Sequence, residues 1–182
     1  MSERLSAKLP VTIVARAALA TRFGRLGLYG TRLGLLSVVL PNESPAAAEA
    51  RLVRVVGEIE FMDDPDSLRE ALEQLEEYVD GTRRSFDLTL DPRGTPFQRA
   101  VWDAVSAVEY GQTQSYGDIA RAIGRPAAVR AVGAANGANP LPVIIPCHRV
   151  IGSNGTLTGY GGGLDLKQRL LAFERGDYEF FA

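Results

Sequence analysis

The segment "IIPCHRV", residues 144–150, contains the only cysteine and the only histidine of the 182-residue chain, Cys147 and His148. The apolar run before Pro146 predicts a buried strand that enters a turn at the thiol. A lone buried cysteine is usually a small apolar core residue, and that interpretation stays open. Cationic neighbours lower the pKa of a thiol, so His148 and Arg149 instead favour a nucleophilic Cys147.

His148 follows Cys147 directly, and adjacent side chains do not face one another on a helix or a strand. We therefore expect His148 to act on the thiol through a turn geometry or a water molecule rather than by direct contact. The imidazole then needs a third group to orient it. Glu174, in the last predicted helix, is the candidate, although a helix carboxylate is commonly exposed.

The composition predicts a folded protein with a substantial core, since 46% of the residues are hydrophobic. The sequence contains no run of about 18 apolar residues, so it predicts no membrane span. No signal peptide is evident either, and we expect a cytoplasmic location. A single cysteine cannot form an internal disulfide. One Cys and one His cannot assemble a Cys/His zinc site, so we expect neither a metal nor another cofactor.

The charge is spread unevenly within a net charge of −2. Residues 1–92 contain 11 Lys and Arg against 15 Asp and Glu, whereas residues 93–182 contain 9 against 7. The second half is therefore slightly positive. The difference is too small to predict a nucleic-acid partner by itself.

The first half predicts a mixed α/β region. Residues 25–40, RLGLYGTRLGLLSVVL, are patterned around Gly30 as in a hairpin. LPNESPAAA, residues 40–48, predicts a turn or loop. The opening, residues 1–20, carries no pattern that we can assign.

A helix and a short strand are expected before the middle of the chain. Residues 66–81 predict a helix because four apolar side chains recur at helical spacing: Leu68, Leu72, Leu75 and Tyr78. SFDLTLDPRG, residues 85–94, predicts a strand that ends in a turn. We place a domain boundary there, between residues 1–92 and residues 93–182.

The second half predicts mainly helices. Residues 95–108 begin with Thr95 as a candidate N-cap and Pro96 at the first helical position. Residues 164–174 predict a last helix. Between them, Ser115 and Asp118 are spaced as in a capping box, and a second short helix is expected after Pro126. The two short helices form a helix-turn-helix pattern, with Gly124 in the turn.

The helix after Pro126 is almost free of bulky side chains, and Arg130 is its only long one. Alanine-rich helices mostly serve close packing in a core, and this interpretation stays open. The functional alternative is a thin helix that enters a DNA minor groove, which is about 6 Å wide and leaves base identity largely unread. Such binding suits a protein that searches for damage rather than for a sequence.

Residues 139–174, NPLPVIIPCHRVIGSNGTLTGYGGGLDLKQRLLAFE, closely resemble the active-site region of the O6-alkylguanine-DNA alkyltransferases, also called methylated-DNA–protein-cysteine methyltransferases. The family motif PCHRV is complete, and SYGDIA and RAVGAANGANP stand in the family's order. The resemblance runs from about Thr95 to Glu174. It implies an α+β fold, with a small N-terminal RNase-H-like α/β domain before a helical C-terminal domain that contains a helix-turn-helix.

The resemblance also implies roles for individual residues. Cys147 corresponds to the alkyl acceptor, His148 to the general base and Glu174 to the carboxylate that orients it. Arg130 corresponds to the arginine that enters the base stack, and Tyr116 to the tyrosine that promotes rotation of the target nucleotide. The remaining implied positions are DNA contacts at Arg125 and Ser153 and a base pocket of Asn139, Val150, Tyr160 and Lys167.

By resemblance, the protein repairs double-stranded DNA by moving the alkyl group of O6-alkylguanine to Cys147, with O4-alkylthymine as a further candidate substrate. The transfer follows base flipping from the minor groove, is irreversible and happens once per chain. The resemblance implies a monomer, with cooperative assembly on DNA as an option, and association with the nucleoid when on DNA. Some relatives bind a structural zinc in the N-terminal domain, and the residues for it are absent here.

Three other functions stay open at this point. An alkyltransferase-like protein that flags lesions without chemistry would lack the acceptor, whereas Cys147 is present. A sequence-specific regulator would read the major groove with polar side chains, which the alanine-rich helix does not offer. A cysteine hydrolase is disfavoured because Cys147 and His148 are adjacent in the sequence.

Overall fold

The computed structural model describes residues 11–177. Its elements, in chain order, are β1 (Thr12–Thr21), β2 (Gly24–Thr31), β3 (Gly34–Val39), α1 (Pro45–Val56), β4 (Ile59–Asp63), α2 (Arg69–Val79), α3 (Pro96–Ser106), β5 (Gln114–Ser115), α4 (Tyr116–Ala122), α5 (Val129–Gly137), β6 (Val150–Ile151) and α6 (Leu164–Arg175). Two 3-10 helices lie at Asp66–Leu68 and Cys147–Arg149. The protein therefore has the predicted α+β fold.

A four-stranded sheet forms the first half, in the order β3-β2-β1-β4. β1 pairs antiparallel with β2, and β2 pairs antiparallel with β3. The chain passes from β3 through α1 to β4, which pairs parallel with β1. Parallel strands cannot be joined by a tight turn, and β2, β3 and α1 lie between these two strands in the sequence. The sequence opening that we could not assign thus supplies β1, while residues 1–10 lie outside the described residues.

The predicted hairpin of residues 25–40 is present as β2 and β3. The chain reverses at Arg32 and Leu33, and Gly30 instead marks a shift of register within the ladder. Gly34 follows the turn with φ 138°, and a Cβ there would lie 2.5 Å from the backbone oxygen of Thr89. A glycine is required at this position because the neighbouring chain comes so close.

The prediction for residues 40–48 is right only for its first part. The turn ends at Ser44, whose side chain accepts a hydrogen bond from the Ala47 amide at 3.2 Å and so caps α1. Pro45 stands at the first position of that helix. The serine and proline that suggested a loop are therefore a helix start.

The predicted strand at residues 85–94 is wrong, because only an isolated bridge between Leu35 and Leu90 forms there. The side chain of Gln74, on α2, takes both backbone groups of Asp87, with distances of 2.9 Å to the amide and 2.8 Å to the carbonyl. These backbone groups are consequently not available to a neighbouring strand.

The other helices agree with the sequence, with small changes at their ends. Thr95 caps α3, and Ser115 caps α4 in a capping box with Asp118. Residues 66–68 form a 3-10 helix before α2 rather than its first turn. α5 begins at Val129 rather than directly after Pro126, since the Ala128 amide bonds the Arg125 carbonyl in a turn.

Two apolar clusters hold the molecule together. The smaller lies between the sheet and α1, and the larger joins the opposite sheet face to α2, α3, α4, α5 and α6. The larger cluster draws buried residues from both sides of the predicted boundary, so residues 1–92 and 93–182 share a core. The domain division itself stays a prediction. Within residues 11–177, no helix is long and apolar enough to cross a bilayer.

Candidate active site

The segment that leads to the thiol, residues 141–147, is a series of tight turns and not the strand that the sequence predicts. The Ile145 amide bonds the Leu141 carbonyl at 2.8 Å, and the Cys147 amide bonds the Ile145 carbonyl at 2.7 Å. Cys147 then begins a 3-10 helix. The apolar residues of the run are buried, and the only β-pairing there is an isolated bridge between Pro142 and Ile145. Hydrophobicity therefore indicated burial correctly and conformation wrongly.

Val143 lies at the start of these turns with φ 75°, the only non-glycine residue among residues 11–177 with a positive φ. A β-branched residue in this region costs on the order of 1–3 kcal/mol and persists only where its surroundings impose it. The strained position stands four residues before the thiol. No sequence motif predicts it.

Two asparagines hold the segment from the side of α5. Asn139 donates to the Ile145 carbonyl at 2.8 Å and accepts from the Leu141 amide at 2.9 Å, so it clamps both ends of a turn. Asn136, which the sequence analysis missed, donates to the Cys147 carbonyl at 3.2 Å. The only available signal was its place on a helix whose other residues, apart from Arg130, are small or aliphatic.

The segment is tied to α4 by a short parallel pairing. Gln114 pairs with Val150 and Ser115 pairs with Ile151. Ser115 is the N-cap of α4, and Tyr116 is the first residue of that helix. The pairing therefore brings the start of α4 next to β6, the strand that follows the thiol. Tyr116 is half-buried and passes near Gly133 of α5, where an added Cβ would lie 3.8 Å from its ring.

Glu174 is buried and not exposed. His148 Nε2 lies 2.9 Å from its Oε1, as the orienting role requires. Arg149 donates to both of its oxygens at 2.9 Å, the Gly111 amide donates at 3.1 Å and the Tyr78 hydroxyl donates at 2.7 Å. Burial alone would raise the pKa of Glu174, but His148 and Arg149 hold it far below its usual value.

These contacts fix the protonation of His148. Burial lowers the pKa of the imidazole, against the raising effect of Glu174, so the ring is neutral near pH 7. A carboxylate only accepts, so the ring proton is on Nε2. Nδ1 then carries a lone pair. Within residues 11–177 it is one of three buried polar side-chain atoms without a hydrogen-bond partner, together with Asn136 Oδ1 and Tyr160 OH.

The expectation that His148 and Arg149 give Cys147 a low pKa is wrong. Burial raises the pKa of Cys147 to about 11, and the Asn139 side chain and the Lys167 charge only partly offset it. Arg149 is turned away and is engaged by Glu174 and by the Val108 carbonyl. The resting thiol is thus protonated, and its activation needs a base.

Lys167 closes the other side of the site. Its Nζ donates to the Val150 carbonyl at 2.6 Å and to the Thr158 carbonyl at 2.8 Å. Burial lowers the pKa of Lys167 to about 8. The lysine therefore connects the strand after the thiol to the loop that carries Tyr160.

A cavity of about 340 Å³ opens onto the thiol. Cys147, Asn136, Asn139 and Tyr160 line it, and Leu40 and Asn42, which follow β3, also contribute to its wall. Asn42 donates to the Gly161 carbonyl at 2.6 Å, which ties the wall to the Tyr160 loop. A cavity of this size lies at the lower end of the range for small-molecule sites, which is about 300–1,000 Å³.

The predicted nucleic-acid contacts lie outside this cavity. Arg125 and Arg130 are exposed, the first before α5 and the second in its first turn. Ser153 is exposed on the loop after β6. In the described part of the chain, no three His, Cys, Asp or Glu side chains are grouped so that they could hold a metal ion.

The comparisons with known proteins agree with this arrangement. Residues 96–176 match the family described as 6-O-methylguanine DNA methyltransferase, DNA binding domain. A methylated-DNA–protein-cysteine methyltransferase of Mycolicibacterium paratuberculosis is 49% identical over 146 residues, which are 79% of this chain and 87% of that protein. One of Methanosarcina acetivorans is 53% identical over 114 residues, 63% of this chain and 73% of that protein.

The fold is also similar to that of a solved structure. The crystal structure of Mycobacterium tuberculosis OGT in complex with DNA matches with a TM-score of 0.78 and 38% identity, over 93% of this chain and 99% of that chain. Fold and site thus define a class of methyltransferase whose donor is methylated DNA and whose acceptor is a cysteine of the protein itself. The chain belongs to the methylated-DNA–protein-cysteine methyltransferase family.

Proposed function

We propose that this protein repairs O6-alkylguanine in double-stranded DNA by moving the alkyl group to the sulfur of Cys147. One observation carries the proposal. The thiol lines a cavity together with Tyr160, and the adjacent His148 is oriented by Glu174 with an unpartnered Nδ1. Membership of the family supports the same reaction.

The proton inventory follows from the pKa values of the site. The Cys147 thiol is neutral at rest, and neutral His148 accepts its proton at Nδ1 through a water molecule. The positive charge that forms on the imidazole is stabilised by Glu174 at 2.9 Å. This is the logic of a Ser-His-Asp triad, with a water in place of direct contact between nucleophile and base.

The sulfur then attacks the alkyl carbon, an S–C bond forms and the C–O6 bond breaks. The electron pair of that bond goes to O6, and the guanine takes up one proton. The net reaction therefore moves the thiol proton to the guanine. Burial keeps the pKa of Tyr160 well above its usual value. Tyr160 therefore donates a hydrogen bond to O6 rather than ionising, while Val150 and Asn139 border the base.

The target base has to leave the duplex, because a stacked base cannot reach a buried thiol, and flipping costs a few kcal/mol. We assign α4 and α5 to a helix-turn-helix that lies in the minor groove, with Arg130 filling the gap and Tyr116 crowding the neighbouring phosphate. Arg125 and Ser153 would contact the backbone. The sheet with α1 and α2 would be the RNase-H-like domain.

The thioether product is stable, so each chain would act once. O4-alkylthymine activity, the monomeric state, cooperative assembly on DNA and the cytoplasmic location remain predictions of the sequence.

The proposal is tested with duplex DNA that carries labelled O6-methylguanine. Wild-type protein should acquire the label, whereas Cys147→Ala should acquire none. A lesion-flagging protein, a transcription regulator or a hydrolase would leave the label on the DNA or release it into solution, and either result would overturn the proposal.

A further inference from the structure

The hydrogen bonds to Glu174 are unequally divided between its two oxygens. Oε1 faces three donors, which are His148 Nε2 at 2.9 Å, Arg149 Nη2 at 2.9 Å and the Tyr78 hydroxyl at 2.7 Å. Oε2 faces two, Arg149 Nε at 2.9 Å and the Gly111 amide at 3.1 Å. The shortest contact to Oε1 is thus that of Tyr78, which shares the oxygen used by the histidine.

Tyr78 comes from the other half of the chain, 96 residues before Glu174. It lies on α2, is fully buried and packs against three aromatic rings: Phe86 at 5.5 Å, Phe173 at 5.9 Å and Tyr110 at 6.1 Å between ring centroids. Burial raises the pKa of Tyr78 well above its usual value, so the hydroxyl keeps its proton and acts as a donor. Its place is fixed by the ring packing.

We propose that Tyr78 is a positioning residue for the transfer reaction, which withdraws charge from Glu174 Oε1 and so limits how strongly the carboxylate holds the proton of His148. The inference rests on the proposed function, since it assigns Tyr78 a part in that reaction. It makes α2 of the sheet half a component of the active site.

The direction of the effect follows from electrostatics. A carboxylate oxygen that already accepts a short hydrogen bond offers less negative charge to its next partner. Replacing Tyr78 by Phe keeps the ring and removes only that donor, so Glu174 would attract the proton of His148 more strongly. The pKa of His148 should rise, and the neutral imidazole that serves as base should be lost at a higher pH.

Several other groups act on His148 from the surrounding elements, and none is changed by this substitution. They are Cys147 and Arg149 in the same 3-10 helix, Glu174 and Lys167 on α6, and Tyr160 on the preceding loop. The ring centroid of Tyr160 lies 6.5 Å from that of the imidazole. Because all of them remain, a difference between Tyr78→Phe and wild type reports the hydroxyl alone.

A matched control is available in the same protein. Tyr29 is also buried, with 4% of its surface exposed, and its hydroxyl lies 3.4 Å from Glu49 in the smaller cluster. Tyr29→Phe therefore removes a buried tyrosine donor to a carboxylate away from the site. It should change neither measurement described below.

The first measurement is transfer from the free base O6-benzylguanine across pH 5.5 to 9, which needs no DNA contacts. Tyr78→Phe should lose about three- to tenfold in rate at pH 6 and stay within about twofold of wild type at pH 8.5, the size expected for the net contribution of one ordinary hydrogen bond. The second is the titration of the imidazole by ¹⁵N NMR. It is unambiguous because His148 is the only histidine of the chain.

The outcomes separate the two proposals. An upward shift of the imidazole titration and of the acid limb in Tyr78→Phe alone supports the inference. Unchanged curves, or a uniform loss at every pH with a lower melting temperature, would show a merely structural tyrosine and overturn it. If wild type accepts no alkyl group from the free base or from O6-methylguanine duplex, the proposed function fails, and the NMR titration still decides whether Tyr78 acts on His148.

Discussion

Arg149 and Glu174 form a buried two-point ion pair, with Nε and Nη2 each 2.9 Å from opposite carboxylate oxygens. Their side chains are 6% and 0% exposed. Arg93 and Asp91 form a pair of the same geometry, at 2.9 Å and 2.7 Å, with side chains that are 39% and 17% exposed. The molecule thus contains a more exposed counterpart of its active-site ion pair.

Replacing Arg149 by alanine should destabilise the protein by about 3–5 kcal/mol, because it leaves the Glu174 carboxylate buried without its cation. Arg93→Ala should cost less than about 1 kcal/mol, since water screens that pair. Urea denaturation of both variants measures the two free energies. Equal losses in the two variants would contradict the assignment of Glu174 as a buried, charged carboxylate.

Stability should fall as the pH decreases from neutral. The folded pKa values of His148 and Glu174 both lie below their unfolded values, which are about 6.5 and 4.3. The unfolded chain therefore binds more protons, and stability is lost first below about pH 6.5 and again below about pH 4.3. Glu174→Gln should flatten the second phase of a melting-temperature curve against pH. An unchanged slope would mean that Glu174 does not titrate as proposed.

The sequence predicted the elements that depend on local signals. Thr95 and Ser115 are capping residues whose side chains bond amides three residues away. Their effect therefore does not depend on how the rest of the chain packs. The strand expected at residues 85–94 failed because Gln74, distant in sequence, takes the backbone groups of Asp87. A side chain that competes for backbone groups from another element leaves no periodic signal.

The site shows the same division. Cys147, His148 and Glu174 were singled out from the sequence and from the family resemblance, and the last two lie 2.9 Å apart. The high pKa of the thiol was not predicted, because it depends on burial and on the direction in which Arg149 points. Neither Tyr78 nor the strained Val143 could be found, since both acquire their roles only when separate parts of the chain pack together.

Arg130→Ala should slow repair of duplex DNA far more than transfer from free O6-benzylguanine, because the free base needs no flipping. The expected loss on duplex is on the order of 1–3 kcal/mol, the scale of base stacking. Single-stranded substrate should be intermediate. Arg69→Ala removes the same charge from an exposed site on α2 and serves as the control. Equal slowing on duplex and free base, with an unchanged melting temperature, would rule out the proposed role.

Cys147→Ala should retain binding to alkylated DNA, since the proposed DNA contacts lie outside the cavity that contains the thiol. We expect an increase in Kd of less than tenfold, or about 1.4 kcal/mol. Fluorescence anisotropy with a labelled duplex measures it. A folded Cys147→Ala protein that no longer binds DNA would show that recognition and chemistry are not separate.

The central claim is that one sulfur in each chain accepts one alkyl group and then stops. The most direct test is the intact mass of the protein after reaction with excess O6-methylguanine duplex, followed by peptide mapping. The account predicts the addition of a single methyl group to each chain, located on Cys147, with the amount of repaired guanine equal to the amount of protein. More guanine repaired than protein present, or a methyl group on another residue, would contradict it.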